Sequence, residues 1–271
     1  MREQAGLSWL AHPKPREGQV EMISSCLNTL EKGGAHLASA PTGIGKTAAA
    51  LAAALEFASK SDQRKTVMFL TPRQSQHRIV VDSVKKINEK MNSSVPIKLV
   101  DMIGRESMCI EVDRISGKCN CEADVPEDMR TLGRNNLRNF ILSEPKHVDE
   151  VIELSRKMSV CPWSTARSSV KDSDVIVCDY NHVFVENIRE ASLPSMNLEI
   201  EDTIKVDNGL AYFNGERNCS VYNEADAVDY VKAIHELGEI DKLFKVPQEI
   251  YDSEYGEVGA TSLKILRCWL G

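Results

Sequence analysis

Nowhere in this 271-residue chain does an apolar run approach the roughly 18 residues of a membrane-spanning helix. The opening Met1-Arg2-Glu3-Gln4 also lacks the apolar core of a secretory signal, so no membrane association and a cytoplasmic location are expected. Internal repeats and low-complexity tracts are absent, which excludes solenoids and arrays. An excess of positive charge is missing too, the formal net charge being −7. That deficit is local. Residues 199–271 hold 15 acidic and 7 basic side chains, whereas residues 1–198 hold 25 and 26, so overall charge speaks neither for nor against an anionic ligand of the first part.

What is present starts with the octapeptide Ala40-Pro41-Thr42-Gly43-Ile44-Gly45-Lys46-Thr47. His36 to Ser39 before it reads as a short buried strand, and Lys46 to Lys60 after it as an alanine-rich helix. Strand, glycine loop and helix start are what a phosphate-binding loop requires. Backbone N–H groups and the positive helix end converge on one anion, while Gly43 and Gly45 permit close approach. Lys46 is then placed to reach the β- and γ-phosphates of ATP or GTP, and Thr47 to ligate Mg²⁺. Pro41, Thr42 and Ile44 complete the loop. Ala40, in the place of the usual glycine, points towards helicases.

Strand and helix continue to alternate. Gly18 to Lys32 has helical spacing, Thr66 to Leu70 reads as a buried strand, Ser75 to Met91 as an amphipathic helix and Ile97 to Val100 as a third strand. Such alternation predicts an α/β fold with a parallel sheet and helices on its faces. It stops between Gly104 and about Cys161, where helices are expected over Met129 to Leu142 and His147 to Met158, and resumes with a strand over Asp174 to Cys178 and a helical run from Asn181 to Glu190. Tyr222 to Leu237 and Ser262 to Leu270 are expected to form helices of an acidic tail.

Eight cysteines in a chain without a secretory signal indicate metal binding rather than disulfides. Cys109, Cys119, Cys121 and Cys161 share the segment where the alternation stops. Cys26 and Cys178 read as small buried hydrophobes. On spacing alone the four thiolates could hold a tetrahedral Zn²⁺, although Cys119-Asn120-Cys121 is tighter than the usual zinc-ribbon gap.

Taken in order, the motifs resemble the XPD/DinG-like iron–sulfur DNA helicases of superfamily 2, the archaeal members most of all. Arg16-Glu17-Gly18-Gln19 resembles the glutamine motif that contacts adenine. Phe69 to Gln76, ending in Arg73-Gln74-Ser75-Gln76, is similar to the motif that touches the single strand. Gly104-Arg105 with Cys109 resembles the block that delivers the first cluster cysteine, Cys161-Pro162-Trp163 with Ala166-Arg167 the block that delivers the last, and Asp179-Tyr180-Asn181-His182 the tyrosine stretch beyond. The resemblance covers residues 12 to about 207.

It implies a RecA-like P-loop domain over residues 1–103 and 166–207, interrupted by a mainly helical iron–sulfur insertion over residues 104–165, with residues 208–271 a divergent tail that could be part of an arch domain. It implies a [4Fe–4S] cluster on Cys109, Cys119, Cys121 and Cys161, mainly structural, and ATP with Mg²⁺ on the phosphate loop, with Arg16 and Gln19 at the base. It further implies a DNA-associated 5′ to 3′ helicase in DNA repair, with single-stranded or forked DNA as the partner of Arg73, Gln74, Ser75 and Gln76.

The Asp-Glu-Ala-His tetrapeptide such helicases carry is absent. Thr203-Ile204-Lys205-Val206-Asp207 lies at about the expected distance, with Asp207 as the magnesium aspartate and Asn208 where glutamate would position water. Asp179 is a second, less suitable stand-in, too near Cys161. A copy truncated or internally deleted after Asp207, without a second motor domain, is therefore expected. It would bind nucleotide with little turnover of its own, either as a nucleotide- and DNA-binding module or with a second polypeptide completing the motor.

Overall fold

The computed structural model describes residues 6–32, 35–39, 43–71, 73–92, 95–113, 115–179, 181–199, 203–207 and 265–270. A six-stranded sheet runs through them. In chain order its strands are β1 (Ala35–Ser39), β2 (Thr66–Leu70), β3 (Leu99–Asp101), β4 (Val175–Cys178), β5 (Thr203–Asp207) and β6 (Ile265–Leu270), arranged β1-β6-β5-β2-β4-β3. The β2–β4, β2–β5 and β3–β4 pairs are parallel, as expected, whereas β6 is antiparallel to both β1 and β5. Because β6 opposes both neighbours, β1 runs the same way as the four parallel strands. Their C-terminal ends at Ser39, Asp207, Leu70, Cys178 and Asp101 therefore share one edge, where ligands of open α/β sheets collect.

Period-two alternation in the central strands divides the core between two faces. Val67, Phe69, Leu99, Val175 and Val177 pack with Leu27, Leu30, Leu51 and Val84 from α1 (Gln19–Glu31), α2 (Lys46–Lys60) and α3 (Gln74–Met91). Met68, Leu70, Val100, Ile176 and Cys178 belong to the other face. Against them lie Leu137 and Ile141 of α5 (Glu127–Ser143), Val148 and Val151 of α6 (Val148–Met158), and Ala166 of α7 (Pro162–Ser169). The cysteine-bearing segment, which also contains the short α4 (Arg105–Met108), thus shares a core with the sheet.

Three expected elements differ in the structure. The third strand starts at Leu99 rather than Ile97, because Asn88 bonds both backbone groups of Ile97 (2.8 and 3.0 Å) and the Asp174 carboxylate takes the Lys98 N–H at 2.9 Å. The run from Asn181 is divided into α8 (Asn181–Phe184) and α9 (Glu186–Ser195), with Val185 extended and the Val183 carbonyl accepting from Arg189. The helix predicted over Ser262 to Leu270 is corrected: Ile265–Leu270 is strand β6. A short apolar run satisfies helical and strand periods alike, and here the open backbone groups of β1 and β5 take it up. The tail helix expected over Tyr222 to Leu237 lies outside the described residues. Among the described residues no helix is long and apolar enough to cross a membrane.

Because Leu137 is fully buried in the core shared with Met68 and Leu70, Leu137→Ala should destabilise the whole sheet, by about 2–5 kcal/mol. Urea denaturation followed by circular dichroism should show one cooperative transition at lower midpoint, as for Phe69→Ala. A separate early transition in Leu137→Ala alone would contradict the shared core.

Candidate functional site

The phosphate loop emerges from the C-terminal end of β1 and enters α2 at Lys46. Gly43 and Gly45 hold φ of +92° and +86°, a left-handed backbone that side chains disfavour. Gly45 caps α2 with no side-chain bond, so the helix N-terminus faces the loop. A cavity of about 270 Å³ opens there, lined by Arg16, Gln19, Gly43, Gly45, Lys46 and Thr47, with His12, Gln76 and Ser83 on its rim. Pro41 and Thr42 lie outside the described residues. Ile44 is partly exposed beside the loop and Lys46 is buried.

Arg16 and Gln19 are tied to the loop itself. The Gln19 side chain accepts from the Arg16 N–H at 2.8 Å and donates to the Gly45 carbonyl at 3.1 Å, and the Arg16 guanidinium donates to the Gly43 carbonyl. This clamp joins the two blocks the sequence separated by 20-odd residues. His12 and Ser83 carried no motif signal.

Asp207 ends β5, level with Leu70 of β2 and, through Arg267 of β6, with Leu37 of β1. The aspartate and the phosphate loop are therefore on the same sheet edge with one strand between them. Of the expected DNA contacts, Arg73, Gln74 and Ser75 are exposed where β2 passes into α3, while Gln76 is buried and accepts from the Thr71 hydroxyl at 2.8 Å.

The second centre is a knot of thiols. The sulfurs of Cys109, Cys119, Cys121 and Cys161 all lie within 4.8 Å of one another. Local folding explains each. Cys109 caps the end of α4, an isolated Val112–Cys119 bridge folds the chain back so that Cys119 returns beside it, and Cys121 follows in the next turn. Cys161 caps α7, its sulfur accepting from the Ser164 N–H, with Pro162 in the first helical position. No start signal for α7 was read from the sequence beyond the Cys-Pro-Trp block. Cys161 Sγ stands 3.6 Å from Cys109 and 3.4 Å from Cys119.

Crowding splits the thiols. Cys161 is pushed down to about 6 by the hydrogen bond from Cys109, against burial and with help from the Ser164 N–H. Cys109 is pushed far up by that same bond and by burial, and Cys119 up to about 12, chiefly by burial. Four converging sulfurs with an easily ionised member suit a thiolate-bound metal. Their spacing matches a tetrahedron around a single ion, with metal–sulfur bonds of about 2.3 Å. A cavity of about 400 Å³ against Cys119 and Cys161 leaves room for a larger group.

That cavity has a cationic wall. Arg105, Arg130 and Arg134 line it, and Arg105 and Arg167 stack on Trp163 at 5.9 and 4.5 Å from the ring centre. Glu122 is set among them: its carboxylate accepts the Cys161 N–H at 2.8 Å and pairs with Arg134. Burial alone would raise the Glu122 carboxyl, but the Arg134 and Cys161 hydrogen bonds hold it below the usual glutamate value. Glu122, Arg130 and Arg134 were not singled out in the sequence. Adjacency to Cys121 was the available signal for Glu122.

A sheet covered by helices on both faces, a glycine loop at its C-terminal edge and four converging thiols between β3 and β4 define the class: an α/β protein with the geometry of a phosphate loop and a cysteine centre that could hold a metal. The chain belongs to the DEAD_2 family, whose model matches residues 69–208. It is 25% identical over 150 residues to the ATP-dependent DNA helicase chl1 of Schizosaccharomyces pombe, covering 51% of this chain and 17% of that protein. To CHL1 of Kluyveromyces lactis it is 22% identical over 123 residues, 41% of this chain and 15% of the relative. The match thus represents less than a fifth of either helicase's length. Among solved structures it is similar to one described as XPD helicase (TM-score 0.47, 16% identity, 72% of this chain and 32% of that one). A second, described as truncated XPD, gives TM-score 0.44 at 18% identity, with 72% and 52% covered. The resemblance to XPD- and DinG-like helicases read from the motifs agrees with this membership.

Glu122→Ala should loosen Cys161 and lower metal affinity by about 10–100-fold, as loss of outer-shell carboxylates does. Chelator competition followed by elemental analysis measures it. Unchanged affinity would mean that Glu122 supports only the surrounding fold.

Proposed function

We propose that this chain is the ATP-binding and cluster-bearing part of an ATP-dependent DNA helicase that moves 5′ to 3′ on single-stranded or forked DNA, in DNA repair. One observation carries the reading: the phosphate loop, the Asp207 strand end and the exposed Arg73–Ser75 turn share a single sheet edge in a DEAD_2 chain. In this reading Gly43 to Thr47 bind the phosphates and Mg²⁺, Gln19 and Arg16 couple the base to the loop, and Asp207 holds the magnesium. Arg73, Gln74 and Ser75 contact the DNA backbone, with Gln76 bracing their turn from inside. The location is DNA-associated.

Cys109, Cys119, Cys121 and Cys161 would hold a [4Fe–4S] cluster, supported by an all-cysteine donor set, family membership and the adjoining cavity. The cluster, when bound, would brace the segment electrostatically and mechanically. Arg105, Arg130, Arg134 and Arg167 would balance its negative charge. The tight sulfur spacing supports a second reading, a single Zn²⁺. Broad visible absorption from an anaerobically purified brown protein would establish iron–sulfur, and one zinc per colourless chain would refute it.

Because Asn208 follows Asp207 where a water-positioning glutamate is expected, the chain by itself should bind ATP and hydrolyse it negligibly, with or without single-stranded DNA. A completing second polypeptide would supply the remaining groups. Fluorescent-nucleotide binding and DNA-stimulated ATPase assays beside a Lys46→Ala control test this. Binding lost in the control, with hydrolysis at background, is the expected outcome. A rate typical of intact helicases, abolished by Lys46→Ala, would overturn the impaired reading and establish an active motor.

A further inference from the structure

His77, in the first turn of α3, is 2% exposed, and both of its ring nitrogens are engaged. Nε2 lies 3.0 Å from the Thr71 carbonyl and Nδ1 2.5 Å from Asp101 Oδ1. A carbonyl oxygen only accepts, so Nε2 carries a proton. The short Nδ1–Oδ1 contact requires a second proton between ring and carboxyl. Asp101 Oδ2 accepts the Val148 N–H, at the start of α6, at 2.9 Å. With Oδ2 engaged as an acceptor, the geometry assigns the second proton to the ring. The arrangement is that expected of an imidazolium between two acceptors.

The groups around it belong to four elements. Asp101 ends β3, Thr71 follows β2, Asp179 follows β4 and adds negative charge, and His147 at the α6 cap places Nε2 3.8 Å from Asp101 Oδ2. Cys178 on β4 is buried and held neutral, its thiol pushed up by burial. Thr71 in turn fixes the exposed turn: its hydroxyl donates to Gln76 at 2.8 Å and accepts from the Arg73 N–H at 3.4 Å, and its own N–H donates to Cys178 at 2.9 Å.

We propose that His77 is a positioning residue whose doubly bonded imidazolium ties the Arg73–Ser75 turn to the N-terminus of α6 in the cysteine-bearing segment, so that the grip on single-stranded DNA depends on its protonation. The DNA half of this inference rests on the function proposed above. Deprotonation would set a bare Nδ1 against the Asp101 carboxylate or, in the other tautomer, a bare Nε2 against the Thr71 carbonyl. Either way one of the two ties is lost, and the turn and α6 are uncoupled.

Burial works to lower the His77 value, but the Asp101 hydrogen bond and charge, the Thr71 carbonyl and Asp179 outweigh it and raise the value above the ordinary 6.5. A raised histidine contributes fully below its unfolded value and loses that contribution as pH rises through the folded one. The grip should therefore weaken on the alkaline side of the ordinary histidine range.

Two measurements on the whole chain test this. In ¹⁵N-histidine NMR of the wild type, His77 should be doubly protonated at neutral pH. Its titration should move the amides of Arg73–Gln76 and Val148 with the same midpoint. A neutral ring, or amides indifferent to it, overturns the proposal. Fluorescence anisotropy with labelled oligothymidine should show wild-type affinity falling roughly tenfold across that titration, the equivalent of one pKa unit of differential interaction. His77→Gln and Asp101→Asn should bind weakly with a flat profile. A wild-type profile already flat, with DNA bound, also overturns it. No DNA binding at any pH, with the NMR coupling intact, refutes the DNA reading and the DNA half of the proposal, while the tie between turn and α6 stands.

Discussion

Burial of β2 on both faces is the constraint on which the remaining architecture depends. Val67 and Phe69 face one helical layer, Met68 and Leu70 the other, and all four are out of solvent. A parallel strand in this position cannot leave either face wet, since each buried side chain of this size contributes roughly 1.5–3 kcal/mol. One cover comes from α1, α2 and α3, which carry the phosphate loop's helix and the turn at Arg73. The other comes from α5, α6 and α7, and α7 presents Cys161. The helix of the glycine loop and the thiol knot are thus attached through opposite faces of the same strands, each packed on its own side of the sheet.

The polar structure follows from that layering. Where parallel strands end together, backbone groups and helix N-termini collect at one edge, which places Gly43 to Thr47, Asp207 and the β2–α3 turn side by side. Polar groups drawn beneath this edge must be paired, because an unpaired buried charge is costly. His77 and Asp101 satisfy each other and use their remaining polar atoms on Thr71 and Val148. On the second face, Glu122 performs a comparable task for the cysteine segment, neutralising arginines and holding the amide of Cys161.

Much of this was legible from residue pattern. The helix over Lys46 to Lys60 and the strand over Thr66 to Leu70 occur as read, because long periodic helices and continuous β-branched or aromatic runs carry their own signal. The four cysteines converge as their shared segment suggested. What escaped were contacts between residues far apart in sequence. His77 and Asp101 are 24 residues apart and neither belongs to a motif, and Glu122 looks like a surface acid until Arg134 and Cys161 close upon it. The six residues of β6 carry an ambiguous pattern, since Ile265 and Trp269, four apart, share a face in a helix and in a strand alike.

By itself, then, the sequence determined the glycine loop between strand and helix, the alternation of helices and strands from Gln19 to Asp101 and the grouping of four cysteines in one segment, because local spacing and residue chemistry suffice for these. Only the tertiary structure decided that the cysteine segment shares the sheet's core, that β6 lies antiparallel between β1 and β5, and that the His77 ring is held between Thr71 and Asp101. Those outcomes turn on which distant backbone groups and side chains meet when both faces of the sheet are buried, and no local pattern encodes such meetings.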